Sequence, residues 1–103
     1  MNESNNIVSS VKRKIAEIDP EAKIILFGSR ARNDFKVDSD WDFLVLTKKR
    51  ITRELKERIF DIFFEIELET DSIVTGIIKD RNEWRKYSNQ PIFKNIAKDG
   101  VEI

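Results

Sequence analysis

The sequence predicts an α/β domain in which helices pack on a three-stranded sheet. Three observations carry this reading. Apolar residues recur at helical spacing near the start of the chain and again after residue 52. Two short apolar runs, within residues 23–27 and 40–47, have the length and continuity of buried strands. Helical and strand-like stretches also alternate along the chain. A chain of 103 residues leaves room for one domain, residues 1–103.

Ile7, Val8, Val11, Ile15 and Ile18 mark a first amphipathic helix over residues 5–18, stopped at Asp19-Pro20 because a residue before proline is pushed out of helical geometry. Lys23–Phe27 reads as a buried strand, broken by Gly28-Ser29. A polar segment over residues 30–39 has room for one or two helical turns at its start. The strand over residues 40–47 places Asp40, Asp42, Leu44 and Leu46 on one face and Trp41, Phe43 and Val45 on the other. Both faces turn apolar after Asp42, so this strand is expected to be central, with its acids at the entering end. Lys48-Lys49-Arg50 reads as a solvated turn. Leu55, Ile59, Ile62, Phe63 and Ile66 mark a long helix over residues 52–68. Residues 72–79 read as a third strand, weakened by Gly76. Asp80-Arg81-Asn82-Glu83 resembles a capping box opening a short helix through Tyr87. Pro91 suits the first position of a last helix, which Gly100 would close. The resulting order is α-β-α-β-α-β-α-α, with the helices expected in one layer; pattern alone does not set strand direction.

Composition narrows the chemistry. Cysteine and histidine are both absent, which excludes disulfides, thiolate metal sites, thiol nucleophiles and imidazole bases within this chain. Catalysis would have to use carboxylates, hydroxyls, Arg, Lys, backbone amides or a hard metal ion. Lys plus Arg number 19 and Asp plus Glu number 19, a balance that argues against non-specific nucleic-acid binding. No apolar run reaches the roughly 20 residues that span a bilayer, and the polar start lacks signal-peptide character. The expectation is a cytoplasmic protein with no membrane partner.

The informative stretch runs from Gly28 to Asp42. A Gly-Ser turn directly after a buried strand can offer backbone amides and a hydroxyl to a phosphate, and glycine allows close approach to the backbone. Arg30 and Arg32 add positive charge. Asp40 and Asp42, two apart, point the same way and can share divalent cations; magnesium favours one or two carboxylates completed by phosphate oxygens. Taken singly, each feature is an ordinary turn or a solvated acidic loop. Together they describe a site for a nucleoside triphosphate.

Gly28-Ser29, ten residues, then Asp40-x-Asp42 resembles the signature of the nucleotidyltransferase superfamily that includes the DNA polymerase β palm. Gly28-Ser29-Arg30-Ala31-Arg32 and Ser39-Asp40-Trp41-Asp42 are most similar to the stand-alone minimal nucleotidyltransferases of the antitoxin type. Pro91–Ile103 also looks like their usual ending. The resemblance spans nearly the whole chain. It implies a polymerase β-like fold, a three-stranded mixed sheet flanked by about four or five helices. It also implies that Gly28, Ser29, Arg30 and Ser39 bind nucleotide, and that Asp40 and Asp42 are catalytic and hold Mg2+ or Mn2+. The implied reaction is attack of an acceptor hydroxyl on the α-phosphorus of ATP, transferring AMP and releasing pyrophosphate. The implied partner is a small helical HEPN-type ribonuclease toxin, silenced by the modification.

Two positions depart from the family pattern. Asn33 stands where glycine is usual, although asparagine tolerates left-handed backbone. Thr75 aligns with the third acid that would serve as base for the acceptor hydroxyl; Glu67, Glu69 and Asp71 fall too early. A hydroxyl does not readily take that proton. The alternative is therefore a weak or inactive nucleotide-binding module that neutralises its partner stoichiometrically. A small-molecule-modifying enzyme is disfavoured, because it needs further acceptor-binding structure.

Other features are assigned elsewhere. Asp38, Asp40 and Asp42 have the spacing that opens a calcium loop, but Phe43 and Lys49 stand where glycine and glutamate are required. The basic residues of the 48–58 segment are interleaved with Glu54 and Glu57 and read as a solvated face. Phe60 and Phe64 lie one turn apart, off the main apolar face, and are expected to form a protein-protein surface.

Overall fold

The computed structural model describes residues 3–103, with side chains from Ile7 onward. Met1 and Asn2, which begin the polar stretch considered above, lie outside the described residues. The elements in chain order are α1 (Glu3–Ile18), β1 (Lys23–Phe27), α2 (Ser29–Arg32), β2 (Trp41–Thr47), α3 (Arg53–Thr70), β3 (Val74–Asp80), α4 (Arg81–Arg85), α5 (Pro91–Asp99) and β4 (Val101–Glu102).

The sheet has four strands in the order β3-β2-β1-β4, where the sequence predicts three. The added strand, β4, pairs antiparallel with β1 through Ile25 and Leu26. Gly100 does close α5, and its amide bonds to the Ile96 carbonyl. The chain then leaves in extended form along the free edge of β1. The sheet is mixed: β1 and β2 are antiparallel, whereas β2 and β3 are parallel. A parallel pair needs a long crossover, and α3 supplies it.

Strand β2 is central and buried on both faces. On one face Trp41, Phe43 and Val45 join Ile24, Leu26, Val74 and Ile78 under the apolar stripes of α1 and α3. On the other, Leu44 and Leu46 pack with Ile25, Phe27 and Ile77 against Trp84, Tyr87, Phe93 and Ile96. The single helical layer expected from the sequence is thus corrected to two layers, α1 and α3 below the sheet and α4 and α5 above it. Fully apolar strands require cover on both sides.

The helix starts and stops use the residues the sequence offers. Thr52 caps α3 by accepting from the Leu55 amide, and Asp80 caps α4 by accepting from the Glu83 amide. Asp19 is buried, and its carboxylate accepts from the amides of Glu21, Lys48 and Lys49. It ties the end of α1 to the exit of β2. Phe64 and Leu68 are 60% and 71% exposed, and Phe60 is also exposed, so α3 presents an apolar stripe outside the core. Among the described residues no helix is long and apolar enough to cross a membrane.

Gly76 has a packing reason for its place in β3. A methyl group there would lie 2.1 Å from Cε2 of Phe63, whose ring stacks on Phe43 with centroids 6.3 Å apart. Gly76→Ala is expected to cost about 1–3 kcal/mol through overpacking, read as a fall in the thermal unfolding midpoint. Adding Phe63→Leu to make room should recover part of that loss, since residues in contact couple.

Candidate active site

The C-terminal end of β1 and the N-terminal ends of β2 and β3 meet at one end of the sheet's strands. Asp42 stands opposite Phe27 on one side and Thr75 on the other. Three segments far apart in sequence therefore converge around the Asp42 carboxylate.

Gly28 turns the chain out of β1 with φ 76° and ψ −159°, a region that is essentially glycine's alone. Asp42 makes glycine necessary for a second reason. A methyl group on Gly28 would sit 2.3 Å from Asp42 Oδ2, so the carboxylate rests directly against the bare Cα. Thr75 Oγ1 donates to the other oxygen, Oδ1, at 2.5 Å. The carboxylate is held from both flanks.

Ser29 opens α2, a single helical turn whose first amides have no partner inside the helix. Asn33 closes it in the left-handed conformation, φ 65°, with its amide bonded to the Ser29 carbonyl. Asparagine performs there the role that glycine would. Asp40 is exposed in the loop just before β2, two residues ahead of Asp42. Ser39, beside it, accepts from the Lys36 amide through Oγ and closes a small turn.

Arg30, expected to bind nucleotide, contacts the loop that follows α2. Its guanidinium lies between the rings of Phe35 and Trp41, 4.4 Å from each centroid. It donates to the carbonyls of Val37 and Ser39. Its contacts hold the loop that carries Asp40. Phe35 and Trp41 carry no chemical signature in the sequence, and this clamp becomes visible only once the loop path is known. Arg30→Ala is expected to cost about 1–2 kcal/mol by loss of the stacked, hydrogen-bonded cation, measured as a lower denaturant midpoint. Arg32 pairs instead with Asp34 at 3.2 Å.

Asp40 and Asp42 supply hard oxygen donors, the set that magnesium accepts when phosphate oxygens complete its shell. Among the described residues no group of three or more acidic, His or Cys side chains forms a metal cage. Two carboxylates are the donor set that suits a cation whose remaining ligands are phosphate oxygens and water. Glu67 accepts from the Val74 amide, and Asp71 caps α3 in left-handed geometry. Among the described residues, Thr75 is the β3 residue opposite Asp42, with its hydroxyl bonded to that carboxylate.

A cavity of about 410 Å³ opens beside Gly28, between α2 and α5, lined by Phe27, Gly28, Arg32, Ile92, Asn95 and Asp99. The three α5 residues form one helical face by their spacing, but nothing in their types marks them out in the sequence.

Comparison with known proteins gives a consistent assignment. Residues 8–99 match the model of the nucleotidyltransferase domain family. A candidate protein adenylyltransferase of Methanocaldococcus jannaschii is 31% identical over 99 residues, covering 94% of this chain and 95% of the relative. A crystal structure of a toxin-antitoxin with AMP-PNP superposes with a TM-score of 0.65 at 19% identity, covering 98% of this chain and 72% of the other. A mutant of the toxin-antitoxin MntA-HpeT gives 0.63 at 17% identity, covering 100% and 72%. These two structures share the fold.

Proposed function

The chain belongs to the nucleotidyltransferase domain family, and from that membership we propose that it transfers AMP from ATP to a hydroxyl of a protein partner. The observation that carries the reading is the convergence of the Gly28 turn on the Asp42 carboxylate, two residues after Asp40 in the chain. The turn brings phosphate oxygens to the acids, and the acids fit a divalent cation bound with them. Magnesium, when bound, would neutralise charge on the attacking and leaving oxygens.

The chain's own residues do the rest. Backbone amides at Gly28-Ser29 and the Ser29 hydroxyl hold the triphosphate. Thr75 fixes the Asp42 carboxylate through Oδ1, and Arg30 sets the loop bearing Asp40. The acceptor oxygen forms a bond to the α-phosphorus as the bond to the β-phosphate bridging oxygen breaks, and pyrophosphate leaves. The acceptor proton passes to a carboxylate of the pair or to water, because Thr75 is no base. The proposed partner is a HEPN-type toxin silenced by the AMP group, in keeping with the toxin-antitoxin origin of the structural neighbours.

Thr75 beside Asp42 favours one second reading, a nucleotide-binding module that neutralises the partner by binding alone. Intact-mass spectrometry of the partner after incubation with ATP and magnesium separates the two. Added AMP units establish transfer. A tight complex without a mass change, with manganese and other nucleotides too, establishes the binding module.

A further inference from the structure

We propose that the cavity between α2 and α5 receives the nucleoside of the triphosphate, with Asn95 and Asp99 bonding to its hydrogen-bonding groups. The inference rests on the nucleotidyltransferase reading of the neighbouring acids. Strand alternation decides which side of the sheet the site opens on. Asp42 and Thr75 share their face with Leu44, Leu46 and Ile77, the face covered by α4 and α5. A phosphate chain lying on Gly28 and Asp42 therefore continues toward α5.

The cavity begins at that turn, since Gly28 is itself part of its lining. About 410 Å³ lies in the usual range for small-ligand pockets. Phe27 and the exposed Ile92 offer apolar walls for a base or sugar ring. Asp99 is the telling residue. It ends α5, where a carboxylate opposes the helix dipole. Among the described residues its side chain takes part in no ion pair or hydrogen bond. A carboxylate repels phosphates, so it suits the end of the ligand that carries neutral donors, the ribose hydroxyls or an exocyclic amine. Arg32, on α2 next to the Gly28-Ser29 turn, suits the phosphate end, which asks it to exchange its exposed pair with Asp34 for a phosphate.

Equilibrium binding to the full chain with magnesium, using ATP and inorganic tripolyphosphate as probes, tests the assignment. Asp99→Ala and Asn95→Ala are each expected to weaken ATP about tenfold, the loss of one good hydrogen bond to a polar ligand group. Tripolyphosphate should change less than about twofold, because it does not reach α5. Asp99→Ala should leave the unfolding midpoint unchanged or raised, which separates ligand contact from damage to α5. Two analogues identify the donor seen by Asp99: 2′,3′-dideoxy-ATP lacks the hydroxyls, and inosine triphosphate lacks the amine. The analogue that no longer responds to Asp99→Ala names it, and an unchanged response with both overturns the Asp99 contact. If wild-type protein binds both probes and neither variant affects ATP, the nucleoside lies elsewhere and this inference falls while the phosphate site stands. If wild-type protein binds neither probe, both readings fall.

Discussion

Asp42→Asn is expected to reduce AMP transfer by about a hundredfold or more, the scale seen when a preorganised charge at a reacting phosphate or oxyanion is removed. The substitution keeps shape and keeps an acceptor for the Thr75 hydroxyl, which bonds to Oδ1. It removes the negative charge that a shared cation requires. The unfolding midpoint should move little, and the complex with the partner should survive. The measurement is the initial rate of α-phosphate label transfer from ATP to the partner, with wild type and variant compared at saturating magnesium. A rate within threefold of wild type would remove Asp42 from the chemistry.

Gly28→Ala should damage both stability and function, and by separable amounts. The glycine-only backbone conformation makes the alanine cost about 1–3 kcal/mol, seen in the unfolding midpoint. The methyl group also collides with Asp42 Oδ2 at 2.3 Å. It must push the carboxylate off its position or force the turn open. Displacement of a reacting group by about 1 Å can cost a hundredfold in rate, so transfer should fall far more than the folded fraction does. Assays well below the variant's midpoint distinguish the two losses. A rate that follows the folded fraction would show that the contact with Gly28 does not position Asp42.

Much of this architecture can be read before any coordinates exist. The apolar period of α1 and α3 and the continuous run in β1 mark those elements. Alternation within β2 separates Trp41, Phe43 and Val45 from Leu44 and Leu46, the division found in the two cores. That same strand contradicts a one-layer arrangement, because residues apolar on both faces demand helices on both. The clue was present, but short helices late in a chain do not declare which face they cover. Strand β4 is two residues long, too short to show any period, and it exists through pairing with β1 alone.

The site divides in the same way. Gly28, Ser29, Asp40 and Asp42 stand out by type and spacing; Thr75 comes from alignment with the family's third acid, and only the structure's parallel β2–β3 register sets it opposite Asp42. The contacts that Arg30 makes with its loop do not stand out in that way. Its rings and carbonyls come from residues five to eleven positions away, along a loop without periodicity. The α5 face is harder still, because Ile92, Asn95 and Asp99 acquire meaning only by standing across from Gly28.

The central position of β2 has a consequence for how the two acids move. Asp42 lies in a strand bonded along both edges, so its neighbours' amides should exchange with solvent only when the sheet comes apart. Asp40 lies in a loop secured by one arginine and a side-chain turn, and such segments open locally with far less free energy. The acid pair is thus half rigid and half mobile. A ligand bridging both acids joins the loop to the slowest-opening strand of the protein. Hydrogen exchange should therefore slow over residues 36–40 when nucleotide and magnesium bind, and stay unchanged over residues 43–46.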